Sequence, residues 1–177
     1  MKNLDNYITE RLKLTSKSNI YTCQPKDKDE LRKILIERLK KDDNADLNDI
    51  DVSLITDMSD LFRHLDPHNI DISRWDVSNV VTMQNMFSYC ENFNCDLSEW
   101  DVRKVKNMYA LFHGCKNFNC DLSKWNVSNV TDMSFIFNGC LILDCDLNNW
   151  NVDTHSVKIH GAFSMCDCLK RPKWYKS

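Results

Sequence analysis

Glycine is scarce in this chain, with three in 177 residues. A phosphate-cradling loop needs several glycines at fixed spacing, so none can be written here. Long apolar runs are missing as well, and none approaches the length that a bilayer-spanning helix requires. The opening "MKNLDNYITERLK" has no apolar stretch after its first lysine and no small-residue cleavage site, so a secretory signal is not expected. The histidines His64, His68, His113, His155 and His160 share no motif with a nucleophile. No catalytic residue and no cofactor is assigned, and enzymatic activity is not expected.

Positive charge is thin where most of the chain lies. Residues 51–150 carry 7 Lys and Arg against 14 Asp and Glu, a net −7. Phosphate binding needs a basic surface, so nucleic acid is excluded as a partner of this region. The basic tail "LKRPKWYKS" reads as a solvated end. Cysteine is abundant, with nine. Without an export signal the expected setting is the reducing cytoplasm, where thiols stay free, and an odd count leaves one unpaired in any case.

What the chain has is a repeat. "MFSYCENFNCDLSEWDV" at residues 86–102 returns as "LFHGCKNFNCDLSKWNV" from Leu111 and "IFNGCLILDCDLNNWNV" from Ile136. Trp75, Trp100, Trp125 and Trp150 fall 25 residues apart, as do Phe62, Phe87, Phe112 and Phe137. A fixed period with recurring apolar positions predicts stacked coils, because one coil cannot bury its own apolar side chains. The expected fold class is α/β, a leucine-rich-repeat-like solenoid of about five coils with a short strand and a short helix each. The strand is placed at "DLS" before each Trp, with neighbours about 4.8 Å apart. The helical turn is placed at "TDMSFIF", with Thr131 as N-cap, Met133, Ile136 and Phe137 facing inward, and Gly114 and Gly139 just past such turns as left-handed caps.

Coil edges at the ends of a stack need covering. "DKDELRKILIERLKK" places Leu31, Ile34, Leu35 and Leu39 on one helical face behind an Asp27–Glu30 capping box, and Leu4, Tyr7, Ile8 and Leu12 suggest an earlier helix. Three segments follow: an N-terminal helical cap over 1–47, the repeats over 48–165, and a degenerate C-terminal cap with a basic tail over 166–177. The fifth repeat drifts, with Phe163 one residue late.

"ISRWDVSNVVTMQNMF" and "LSKWNVSNVTDMSFIFNGC" closely resemble the BspA-like leucine-rich repeat family, whose units read W-D-V-S-N-V-T-x-M-x-x-M-F. The resemblance covers residues 48–165. It implies a binding role. Members with signals or anchors act as adhesins for host or matrix proteins; short members without signals begin with a helical segment and occur in bacterial and phage genomes. This chain looks like the second sort. It departs from the pattern at Cys95, Cys120 and Cys145, which stand where Gly or Gln is common. The family has no catalytic residues to carry over.

Two cysteine ladders recur in register, Cys90, Cys115 and Cys140, and Cys95, Cys120 and Cys145. Identical behaviour on every coil suits buried packing thiols better than a four-ligand zinc site or oxidised pairs, so no metal is assigned. Cys166 and Cys168, off register, are expected to be exposed. The aspartates Asp71, Asp96, Asp121 and Asp146 stack like charges. Each is expected to accept backbone N–H bonds in its own turn, the alternative being a cation bridging neighbours. Asn69, Asn94 and Asn119, continued by Asp144, read as internal hydrogen bonding.

Elsewhere the frame varies. Arg74, Glu99, Lys124 and Asn149 share one position; His64, Tyr89, Gly114 and Gly139 another; Asp66, Glu91, Lys116 and Leu141 a third. Variation inside one chain marks what the scaffold leaves free, and repeat proteins use such positions for binding. The expected function is a protein-binding module, monomeric and away from membranes. Its acidic face would take a partner with a basic patch through Arg74, Glu99, Lys124 and Asn149, with Asp96, Asp121, Tyr89 and Glu91 nearby. The alternatives are a structural, virion or cell-surface subunit, or an inhibitor of a host defence complex.

Overall fold

A computed structural model describes residues 21–175, so the expected early helix around Leu4, Tyr7, Ile8 and Leu12 lies outside the described residues. The second expected helix forms as α1, Lys28–Leu39. Asp27 is its extended N-cap, and the Asp27 carboxylate accepts the Glu30 N–H at 2.9 Å. Glu30 reaches back one residue beyond the expected box and accepts the Lys26 N–H at 3.0 Å. Leu31 and Leu35 are fully buried, and Ile34 and Leu39 pack against the same core.

The expected α/β architecture is not what the chain adopts. Among the described residues α1 is the one helix, and pairing between repeats is confined to isolated parallel bridges such as Asp57–Thr82, Thr82–Asn107 and Asn107–Asp132. The "DLS" segments form no strand and lead into turns at Ser98 and Ser123, and "TDMSFIF" passes from the Asp132 bridge into turns over 134–137 with no helical turn. Two physical reasons account for this. Asp and Asn side chains fold the backbone locally: Asp96 accepts the Ser98 N–H, Asp101 the Arg103 N–H and Asn107 the Tyr109 N–H, so three such turns open one repeat. In "TDMSFIF" that role belongs to Asp132, which accepts the Ser134 N–H, while the Thr131 hydroxyl donates to the Lys106 carbonyl instead of capping. Left-handed residues then interrupt any regular element. Asp60, Asn85, Ala110, Phe135 and Gly161 form one such column, with φ between 52° and 63°. Gly114 and Gly139 do adopt left-handed φ, but in a second column that includes His64 and Tyr89, inside turns and not at helix ends.

The backbone is nonetheless satisfied, by alternation. The N–H groups of Met83, Asn85, Phe87 and Tyr89 donate to carbonyls of the next repeat, at Asn107, Tyr109, Leu111 and His113, over 2.7–3.0 Å. The N–H groups between them, of Met86, Ser88 and Cys90, donate three residues back within their own repeat. Every second amide ties repeats together and every other one closes a turn, so neither sheet nor helix is needed to pair them.

This alternation sets repeats in register and builds side-chain columns. Phe62, Phe87, Phe112, Phe137 and Phe163 stack with centroids 5.3, 5.5, 5.7 and 5.9 Å apart in turn. The rings of Trp75 and Trp100 lie 6.5 Å apart and 4° from parallel. The indole N–H groups of Trp75, Trp100, Trp125 and Trp150 each donate to the carbonyl 28 residues earlier, over 2.9–3.2 Å. The drift of the fifth repeat is real: Phe163 takes the column place one residue late, and Trp174 stacks on Trp150 at 6.4 Å one residue early.

The two ends differ. In each later repeat, the carbonyls equivalent to Leu61 and Arg63 accept N–H groups from the repeat before. The first repeat has none before it, and α1 supplies the donors: the Arg32 guanidinium donates to the carbonyls of Asp60, Leu61 and Arg63. Lys28 adds bonds to Asp57 and Ser59 at 3.1 and 2.9 Å. At the other end Trp174 and Tyr175 cover Trp150 and Phe163. The N–H groups of Ile159, Gly161 and Met165, whose equivalents Met133, Phe135 and Gly139 all donate onward, meet no acceptor among the described residues.

Candidate binding surface

The row expected to bind is assembled only in its middle. Glu99 and Lys124 stand side by side, with Nζ 2.8 Å from Oε1 and side chains 76% and 68% exposed. Asp96 and Asp121 share a shallow groove of ≈ 450 Å³ with Lys124, and Asn149 lies in the next depression along. Arg74 turns the other way, toward Asp46 at 3.6 Å. Glu91 pairs with Lys116 at 2.7 Å. Such exposed pairs contribute little stability and stay free to exchange partners.

The aspartate ladder builds turns. Asp71, Asp96, Asp121 and Asp146 each accept the N–H two residues on, over 2.9 Å. For Asp96 the backbone and hydroxyl hydrogen bonds of Ser98 hold the carboxyl below its ordinary pKa, and Ser123 does the same for Asp121. The asparagines link repeats: Asn94 accepts the Asn119 N–H at 3.0 Å, and Asn119 accepts the Asp144 N–H at 2.9 Å.

Six ladder cysteines are buried, and all nine thiols are free. Cys90, Cys115 and Cys140 donate to the carbonyls of Phe62, Phe87 and Phe112 over 3.0–3.1 Å. Burial pushes the Cys90 thiol up to about 12 and raises Cys115 and Cys140 strongly. Cys120 and Cys145 accept the N–H groups of Leu97 and Leu122 at 3.1 Å. One expectation needs correcting: Cys166 is half-buried and donates to the Phe137 carbonyl at 2.7 Å, continuing the first ladder one residue late. Cys168 is exposed. Among the described residues no three His, Cys, Asp or Glu side chains converge as metal ligands would.

A second groove, of ≈ 450 Å³, was legible only through Tyr89. Tyr89, Tyr109 and Phe135 supply aromatic walls, and Arg63 and His113 sit between them. Tyr89 is 43% exposed, stacks on His64 at 4.9 Å and meets His113 Nε2 through its hydroxyl at 3.0 Å. Tyr89 and Phe135 both hold left-handed backbones, at φ 62° and 58°. For bulky side chains that conformation costs on the order of 1–3 kcal/mol. Phe135 keeps its place because Gly161 lies beside it: a Cβ there would stand 2.6 Å from the ring. Burial, then the nearby Arg63 charge, hold the His113 imidazole below its ordinary pKa. Two polar atoms in this groove, Arg63 Nε and His113 Nδ1, are enclosed without a hydrogen-bond partner.

In-register columns and turn-built coils define a repeat protein. The chain belongs to the family described as "Mycoplasma protein of unknown function, DUF285", which it matches over residues 33–150 and again over 96–172. Among curated proteins and solved structures, none matches it. Among the described residues no helix is long and apolar enough to cross a membrane.

Proposed function

We propose that this chain is a non-enzymatic protein-interaction module whose acidic repeat surface takes a protein partner with a basic patch. The observation that carries the reading is the Glu99–Lys124 contact. Residues 25 apart, at a position where the frame also accepts Arg74 and Asn149, touch on an exposed face. The frame thus carries rows of side chains that its packing does not need. A reducing, cytoplasmic setting goes with this reading, supported by the free ladder thiols. So does kinship with BspA-like repeats, supported by the W-D-V-S-N-V pattern.

The test is joint substitution of Arg74, Glu99 and Lys124 by alanine. The partner captured by the wild-type protein from its native cell is identified by cross-linking and re-tested with purified components. Binding is expected to be lost with the melting temperature unchanged; retained binding contradicts the surface assignment. A structural subunit is the second reading, favoured by the open amides of Ile159, Gly161 and Met165. It predicts assembly that grows with concentration in sedimentation, where the binding module stays monomeric.

A further inference from the structure

The aromatic groove is made from departures from the repeat. Where Tyr109 stands, the other repeats have Ser59, Gln84, Ser134 and, one residue late, His160. Where Phe135 stands, they have Asp60, Asn85, Ala110 and Gly161, and where Tyr89 stands, His64, Gly114, Gly139 and Met165. The last two positions are left-handed and favour small or Asx residues, yet each places a ring in this one groove.

The polar groups of the groove are equally uneven. Arg63 Nη1 is held by Asp60 at 3.1 Å and Nε is enclosed without a partner, so Nη2 is the guanidinium nitrogen left to meet a ligand. A guanidinium nitrogen donates to a carboxylate through a strong, charge-assisted hydrogen bond. His113 uses Nε2 on the Tyr89 hydroxyl and leaves Nδ1 unpaired. Aromatic walls beside a half-used guanidinium suit a ligand with a flat apolar body and an adjacent anionic oxygen pair.

We infer that this groove is a docking site for a protein segment that sets an aromatic side chain next to an aspartate or glutamate. The ring lies among Tyr89, Tyr109 and Phe135, and the carboxylate closes on Arg63, beside His113. The inference deepens the protein-binding reading, on which it rests. It assigns to the otherwise basic partner one acidic-aromatic anchor, and charge complementarity at Arg63 sets the sign of that anchor.

The test titrates the full chain with three blocked dipeptides, acetyl-Asp-Phe-amide, acetyl-Asn-Phe-amide and acetyl-Asp-Ala-amide, following backbone amide shifts by NMR. Asp-Phe is expected to give saturable shifts at Tyr89, Ala110 and His113, and to bind about tenfold tighter than either control, the scale of one charged hydrogen bond or one buried ring. Two variants use residues that the frame already holds at the same positions. Arg63→Ser is expected to abolish the Asp-over-Asn preference, and Tyr109→Ser the Phe-over-Ala preference, with melting unchanged in both. Absence of saturable shifts in the groove, equal binding of the three peptides, or an Asp preference that survives in folded Arg63→Ser overturns the inference. The Arg74, Glu99 and Lys124 face is untouched by these variants. Loss of partner binding there with intact dipeptide binding, or the reverse, tells failure of one reading from failure of the other.

Discussion

The indole N–H of Trp100 donates to the carbonyl oxygen of Ile72 in the preceding repeat, at 3.2 Å, while the Trp100 ring lies on that of Trp75. One side chain therefore fixes both the height and the rotation of its coil. Replacing Trp125, which donates in the same way to Leu97 at 2.9 Å, by Phe removes the donor and part of the buried ring. The expected loss is about 1–3 kcal/mol, read from urea unfolding.

Arg32 stands in for a repeat that is not there. Arg32→Met leaves the carbonyls of Leu61 and Arg63 without donors and is expected to cost about 1–3 kcal/mol. Faster amide exchange in α1 and in residues 58–65 would accompany it. Arg103, 70% exposed and paired among the described residues to Asp101, serves as the control: Arg103→Met should leave the urea midpoint unchanged.

Thiol reactivity separates the cysteines by position. In the native state at neutral pH, Cys168 should react first with an aromatic disulfide reagent, and the half-buried Cys23 and Cys166 more slowly. Cys90, Cys115 and Cys140, fully buried, should react only on unfolding. Rapid modification of several ladder thiols would contradict the packing described.

Acid should loosen the fold through its turns. The carboxyls of Asp96 and Asp121 lie below their ordinary value of 3.8 because Ser98 and Ser123 bind the charged form. A folded-state pKa below the unfolded one means that the unfolded chain binds protons more readily. The stabilisation is therefore complete above the ordinary carboxyl range and is lost as pH falls through the folded values. The melting temperature should be level from pH 7 to about 5 and fall below about 4. The double variant Asp96→Asn and Asp121→Asn should soften that fall yet stay folded, because Asn keeps the accepting oxygen, as Asn126 does for the Ser128 N–H at 3.1 Å.

The register of the repeats was legible in the sequence, and so were the face of α1 and the turn-building role of the aspartate ladder, because each rests on spacing or on local side-chain chemistry. The coil's secondary structure was not. Strand and helix were expected from period and apolar pattern, but Tyr89, Ala110 and Phe135 take left-handed backbones, and nothing in their identity announces it. The aromatic groove was missed for a related reason. Tyr89, Tyr109 and Phe135 occupy three different frame positions, and only stacking of the turns brings them together. A ring at a position that elsewhere holds Ser, Asn or Gly was the available signal.

Hydrogen exchange read amide by amide tests the alternating bonds between repeats most directly. Strong protection is expected at Met83, Asn85, Phe87 and Tyr89, whose N–H groups cross to the next repeat, and fast exchange at Ile159, Gly161 and Met165, whose N–H groups meet no acceptor among the described residues. Uniform protection of both sets, or fast exchange at Phe87 and its neighbours, would contradict that alternation.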